Sequence, residues 1–156
     1  MTWFDQCFDN LLKFEGGYSL DARDPGGETN WGISKRAYPV VDIKNLTRDG
    51  AKEIYKRDYW DRAQCDNLPP SLAFLLFDAA VNSGIGQAIR FLQRAVGTAD
   101  DGVLGSLTIS AINRLDAESL CARFLGQRLD FMTRLSTWDV FGKGWSRRIA
   151  DQLKGM

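Results

Sequence analysis

Apolar positions recur at helical spacing from the start of the chain. Trp3, Phe4, Cys7, Phe8, Leu11, Leu12 and Phe14 form one stripe, and Gly16-Gly17 follows as a stop where left-handed backbone is cheap. The pattern predicts an amphipathic helix that ends beside Glu15. Between Tyr18 and Ser34 the helical period disappears, and an Asp24-Pro25-Gly26-Gly27 turn with the alternation Thr29, Trp31, Ile33 predicts a loop with a short hairpin at most. Thr47 is placed to cap a second helix running through Ala51, Ile54, Tyr55 and Tyr59 to Trp60, with Gly50 weakening its first turn. Pro69-Pro70 opens a third, whose run from Leu72 to Phe77 is apolar nearly all round, as a buried central helix requires. Gly84 and Gly86 separate it from a helix carrying Ile89, Leu92 and Val96, and Asp100-Asp101-Gly102 marks a turn. Leu107 to Leu115 and Leu120 to Met132 predict two more helices. Gly142-Lys143-Gly144 is then expected to break the chain before a last helix marked by Trp145, Ile149 and Leu153. The fold class is therefore mainly α, with a small loop and β-hairpin region.

Composition adds limits rather than a function. The chain has 156 residues, 44% apolar and 12% aromatic, enough for a core. Formal net charge is zero, yet the ends differ: Asp5, Asp9, Glu15, Asp21, Asp24 and Glu28 crowd the first thirty residues, while Arg123, Arg128, Arg134, Lys143, Arg147, Arg148 and Lys154 crowd the last. A solvated helical face explains the basic end more simply than a polyanionic partner does. Cys7, Cys65 and Cys121 are odd in number and far apart, which points to reduced buried thiols rather than a disulfide framework or a zinc knuckle. The start, Met1-Thr2-Trp3-Phe4-Asp5, has neither a basic nor an apolar leader segment, so synthesis in the cytoplasm without a signal peptide is expected. No segment has the length for stable membrane insertion.

The chain contains no histidine. Histidine-based triads, cysteine–histidine peptidases and histidine-ligated zinc hydrolases thus lose their usual base or ligand, and the chemistry falls to carboxylates. Glycosidic hydrolysis needs a protonated acid at the leaving oxygen and an ionised carboxylate that activates water or stabilises the oxocarbenium-like centre. Glu15, after a helix and between Phe14 and Tyr18, is biased toward its neutral form and is the candidate acid. Asp24, in a glycine-rich turn with exposed amides, is the candidate base or stabiliser, and the Thr29 hydroxyl is placed to orient a water. Asp21 and Glu28 are rivals for the Asp24 role. A carboxyl separation of about 6.5–9.5 Å would favour inversion and one near 5 Å retention.

The run Phe14-Glu15-Gly16-Gly17-Tyr18, followed by Asp24-Pro25-Gly26-Gly27-Glu28-Thr29-Asn30-Trp31-Gly32-Ile33-Ser34, resembles the signature of the family 108 glycoside hydrolases, phage endolysins and related bacterial N-acetylmuramidases. Ile54 to Trp60 and Phe77 to Gly84 are similar to further blocks of that family, so the resemblance covers roughly the first 90 residues. It implies a lysozyme-like helical domain that cleaves the β-1,4 bond between N-acetylmuramic acid and N-acetylglucosamine, with the catalytic glutamate on Glu15. The Glu/Asp/Thr spacing is also similar to that of the phage lysozymes, with one residue fewer between Asp24 and Thr29. Downstream, Phe91 to Gly97 and Asp101 to Thr108 resemble the peptidoglycan-binding region that commonly follows the catalytic part. By the context of these motifs Tyr18, Asn30, Trp31 and Asn82 are the candidate substrate-binding residues.

The expected organisation is thus a lysozyme-like catalytic region over 1–87 and a peptidoglycan-binding-like helical region over 88–156, packed together as a compact monomer. Peptidoglycan glycan strands are the expected partner, with no nucleic acid, and neither metal nor organic cofactor is implied. Release to the wall by a holin-type route or dedicated secretion would follow. A lytic transglycosylase and a noncatalytic wall-binding or secretion accessory protein are the alternative readings.

Overall fold

A computed structural model of the chain describes residues 1–14 and 17–156. Glu15 and Gly16, and with them the expected acid and the first glycine of the expected helix stop, lie outside the described residues. The chain divides by packing into two compact units, Met1–Asp58 and Tyr59–Met156. The functional division expected at residue 87 is of another kind and falls inside the second unit.

In the first unit, α1 (Trp3–Leu12) is closed at its start by a reciprocal capping box between Thr2 and Asp5. It buries Phe4, Cys7, Phe8 and Leu11 of the stripe read from the sequence, while Trp3 and Phe14 are exposed, Leu12 is half-buried, and the helix ends at Leu12, short of the expected end beside Glu15. After it come β1 (Ser19–Leu20), β2 (Glu28–Asn30) and β3 (Ile33–Ser34), an antiparallel sheet in the order β1-β2-β3. The expectation of a short hairpin at most is therefore exceeded, and the apolar alternation does not run through. Trp31 and Gly32 form the two-residue turn between β2 and β3 and both have positive φ, 54° and 77°, as a type I′ hairpin turn demands. Thr29 stays in the strand; Trp31 is taken out of it.

α2 (Arg48–Tyr55) begins at Thr47, whose hydroxyl accepts from Gly50 N at 3.0 Å. A Cβ at Gly50 would stand 3.1 Å from Leu46 Cδ1, so the glycine that weakens the helix also lets the cap close. The helix buries Ala51, Ile54 and Tyr55, and the Tyr55 ring meets Phe8 with centroids 5.6 Å apart. Ion pairs Asp9–Arg48 and Asp5–Lys52 join the outer edges of α1 and α2. Beyond Tyr55 the helix widens into a π-helical turn, Lys56–Trp60, rather than continuing as α.

The second unit is helical. α3 (Pro70–Ser83) packs against α4 (Ile85–Val96) and α6 (Ala117–Thr133), and its residues Leu72, Ala73 and Leu75–Ala80 are buried. That is the central helix predicted from its all-round apolar run. Phe91 on α4 meets Phe124 and Phe131 of α6 edge-on, at 6.2 and 5.2 Å between centroids. α5 (Ser106–Asn113) follows a turn organised by Gln93, which accepts from Gly102 N at 2.9 Å and donates to Asp101 Oδ1 at 2.8 Å.

The predicted break at Gly142-Lys143-Gly144 is not there. α7 runs unbroken over Trp138–Lys154, packed on α6. Gly142 is buried under the Trp138 indole, where a Cβ would come within 2.5 Å of the ring. The glycine makes room for an aromatic one turn earlier and does not end the helix. Cys7, Cys65 and Cys121 are buried, and desolvation pushes the Cys7 thiol up to about 12. No helix among the described residues is long and apolar enough to cross a membrane.

Candidate active site

The polypeptide after α1 places Asp21 and Asp24 on the β1–β2 connection and Glu28 at the start of β2. An Asp21–Asp24 turn, closed by Asp24 N donating to Asp21 O at 3.0 Å, runs into an Asp24–Gly27 turn closed at the same distance. Pro25 presets the second position of the latter, and Gly27 supplies the positive φ of 69° that returns the chain to β2. The result is a carboxylate-bearing loop on a hydrogen-bonded strand pair, with Ser19 opposite Thr29 and Leu20 opposite Glu28.

The three acidic candidates of this loop and the strand that follows it differ in what holds them. Asp21 is gripped by Arg23 on both oxygens, Nε to Oδ1 at 3.0 Å and Nη2 to Oδ2 at 2.9 Å, and this guanidinium lowers its pKa below the usual carboxylate value. Glu28 accepts the Tyr18 hydroxyl at 3.2 Å. Partial desolvation of that phenol, and then the Glu28 charge, raises the Tyr18 pKa. Asp24 uses one oxygen only, Oδ1, to accept from Gly26 N at 2.8 Å in an Asx turn. Its Oδ2 accepts no bond among the described residues, and its side chain is exposed. A carboxylate fixed by one oxygen and open at the other is what holding a water or a cationic centre requires.

Thr29 lies in the middle strand between Ser19 and Ser34, half-buried, and strand alternation puts it on the face opposite Asn30. Tyr18 is exposed beside the sheet, and Asn82 is exposed on the last turn of α3 in the second unit. Asn30 and Trp31 have other engagements. The Asn30 amide is buried and donates to Ile43 O at 3.0 Å and Leu46 O at 3.3 Å. Trp31 Nε1 donates to Leu46 O at 2.9 Å, and its own carbonyl accepts the Tyr55 hydroxyl at 2.9 Å. These bonds pin the left-handed Trp31, a conformation that disfavours a bulky side chain, and through it the hairpin next to the acidic loop. Tyr55 and Leu46 thus support the site, a role that the sequence, which marks Tyr55 only as part of a helix and of a family-like block, does not show. The signal was the Trp31-Gly32 pair, which reads as a two-residue turn once Asn30 and Ile33 are paired.

The chain matches a family model described as Glycosyl hydrolase 108 over residues 8–84, a span that contains α1, the sheet, α2 and α3. It is also 33% identical to Brucella abortus SagA, whose solved structure it matches with a TM-score of 0.87, covering 97% of this chain and 91% of that one. The chain belongs to glycosyl hydrolase family 108. It is a glycoside hydrolase with a mainly helical, lysozyme-like fold, and the family implies peptidoglycan as its substrate. No match is found among curated proteins. The family-108 match spans the acidic loop and ends just beyond Asn82, so it takes in every candidate site residue. Among the described residues no cluster of metal-ligating side chains accompanies them.

Proposed function

We propose that the protein is an N-acetylmuramidase that cleaves the β-1,4 bond between N-acetylmuramic acid and N-acetylglucosamine in peptidoglycan. Glu15 is the general acid that protonates the leaving oxygen. Asp24 is the ionised partner that activates water or stabilises the oxocarbenium-like centre, with Thr29 orienting the water. Tyr18 and Asn82 contact the glycan, whereas Asn30 and Trp31 hold the hairpin that carries the acidic loop. The protein works as a monomer outside the cytoplasm, in lysis or wall remodelling, after a holin-type release or dedicated secretion.

The observation that carries this reading is the difference between the three carboxylates of the loop. Asp21 is neutralised by a bidentate arginine and Glu28 is shared with a tyrosine, while Asp24 is exposed and has an oxygen that accepts no bond among the described residues. The test is digestion of purified peptidoglycan by wild type and Glu15→Gln, with the mass and reducing end of each fragment determined. Fragments ending in reducing N-acetylmuramic acid from wild type only are expected. Wild-type activity in Glu15→Gln removes the proposed acid, and 1,6-anhydro products convert the reading to a lytic transglycosylase.

A further inference from the structure

The basic end of the chain, expected as a solvated helical face, instead turns two of its cations inward. Arg128 on α6 is wholly buried, and Arg148 on α7 is 12% exposed; both bind Asp78, itself buried on α3. Arg148 grips the carboxylate through Nε at 3.1 Å and Nη2 at 2.6 Å. Arg128 reaches it with Nη1 alone, at 2.6 Å, and the same nitrogen lies 3.4 Å from Gln152 Oε1.

The rest of the Arg128 guanidinium is the unusual part. Among the described residues Nε and Nη2 are buried without an acceptor, as is the nearby Gln152 Nε2. Nε–H and Nη2–H lie along one edge of the planar group, the edge that grips an anion with two parallel bonds, as Arg148 does to Asp78. Asp78 cannot also serve that edge, since both its oxygens already accept from guanidinium nitrogens. Burial accordingly holds the Arg128 pKa below the usual arginine value even with Asp78 beside it, the mark of a cation only partly compensated.

Buried charged donors of this kind are expensive to leave unmet. A water offers lone pairs but no charge, whereas the single Asp78 carboxylate stands against two guanidinium groups, the buried Arg128 and the nearly buried Arg148. A monatomic anion only accepts. We infer that the Nε/Nη2 edge of Arg128 is a binding site for a small monovalent inorganic anion of chloride size, set where α3, α6 and α7 meet. The complete burial of Arg128 excludes a carboxylate carried on a larger ligand. The site is separate from the glycan chemistry and would act on the second unit's stability.

Thermal unfolding of the full chain in sodium chloride or bromide, against sodium gluconate at matched ionic strength, tests it. Each tenfold rise in halide above its dissociation constant should lift Tm by roughly 3–6 °C, while gluconate leaves it level. Arg128→Met should abolish the halide-specific rise. Because that variant can fail to fold, wild-type crystals soaked in sodium bromide provide the second measurement. An anomalous peak within hydrogen-bond reach of Nε and Nη2 is expected. Coincident halide and gluconate curves, or a water at that position without anomalous signal, would overturn the site.

Discussion

Two glycines two residues apart on α7 should respond to the same substitution with opposite signs. In an ordinary helix interior, Gly→Ala stabilises by about 1 kcal/mol, because alanine restricts the unfolded chain and favours helical geometry. At Gly144 nothing lies within 4 Å of an added Cβ, so Gly144→Ala should deliver most of that gain. At Gly142 the added Cβ would stand 2.5, 2.6 and 2.9 Å from three Trp138 ring atoms. A rigid indole that already packs against Trp145, with centroids 6.2 Å apart, has no flexible end to move aside. Overpacking of this sort costs about 1–3 kcal/mol, which cancels or exceeds the propensity gain. The two variants therefore differ by roughly 2 kcal/mol although they carry the same chemical change in one helix. For a chain of this size that is a separation of about 4–8 °C in Tm. Thermal unfolding followed by circular dichroism, with urea unfolding to check that the m-value is unchanged, reads it directly. If both alanines stabilise alike, the tight Trp138–Gly142 contact is not what keeps glycine at 142, and the account of why α7 runs through this segment fails.

Other consequences follow from the carboxylates and the thiols. Asp24→Asn should stop peptidoglycan hydrolysis while Asp21→Asn and Glu28→Gln retain most of it; loss in a rival alone would move the assignment to that residue. Asp78→Asn should destabilise by about 3–5 kcal/mol in urea unfolding, since it leaves the Arg128 guanidinium buried without its carboxylate. The double variant Asp78→Leu with Arg128→Met should lose less, and an equal loss would show that packing rather than charge is at stake. Burial raises the Asp78 pKa, but Arg128 and Arg148 outweigh it and lower the folded-state value below 3.8. Its contribution is then complete above that ordinary value and is lost as pH falls through the lower folded one, so wild type should lose stability below about pH 4 more steeply than the double variant. Cys7, with its thiol pushed up to about 12, should resist iodoacetamide at pH 8 until the protein unfolds, and alkylation of the native state at the rate of a free thiol would contradict its burial.

What could be read in the chain was whatever depends on neighbours within a turn or two. The middle of the α1 stripe from Phe4 to Leu11, the cap at Thr47 and the all-round apolar run of α3 are local patterns, and each appears where it was expected. The glycines at 142 and 144 misled for a related reason. Propensity treats them as equivalent breakers, whereas Gly142 is kept by a contact with Trp138 one turn earlier and Gly144 borders open space. The sheet was under-read because its longest strand has three residues, too few for alternation to show, and because Trp31 interrupts the pattern at the turn.

The acidic loop was legible in composition but not in the ranking of its members. Asp21, Asp24 and Glu28 look alike in a string of letters; Arg23 and Tyr18, both near in sequence, are what tell them apart, and only the fold orients them. Asp78 is the harder case, since its partners lie 50 and 70 residues away. A signal was nonetheless present. A carboxylate inside a helix that is apolar on every side must either be neutral or meet a cation, and the surplus of arginines lay in the last two helices. Taken together, those facts assign part of the charge asymmetry along the chain to the interior of the second unit rather than to its surface. Arg128 and Arg148 should therefore be discounted from any estimate of how strongly the basic end attracts an anionic wall, leaving Lys143 and Arg147 as its exposed cations on the first three turns of α7.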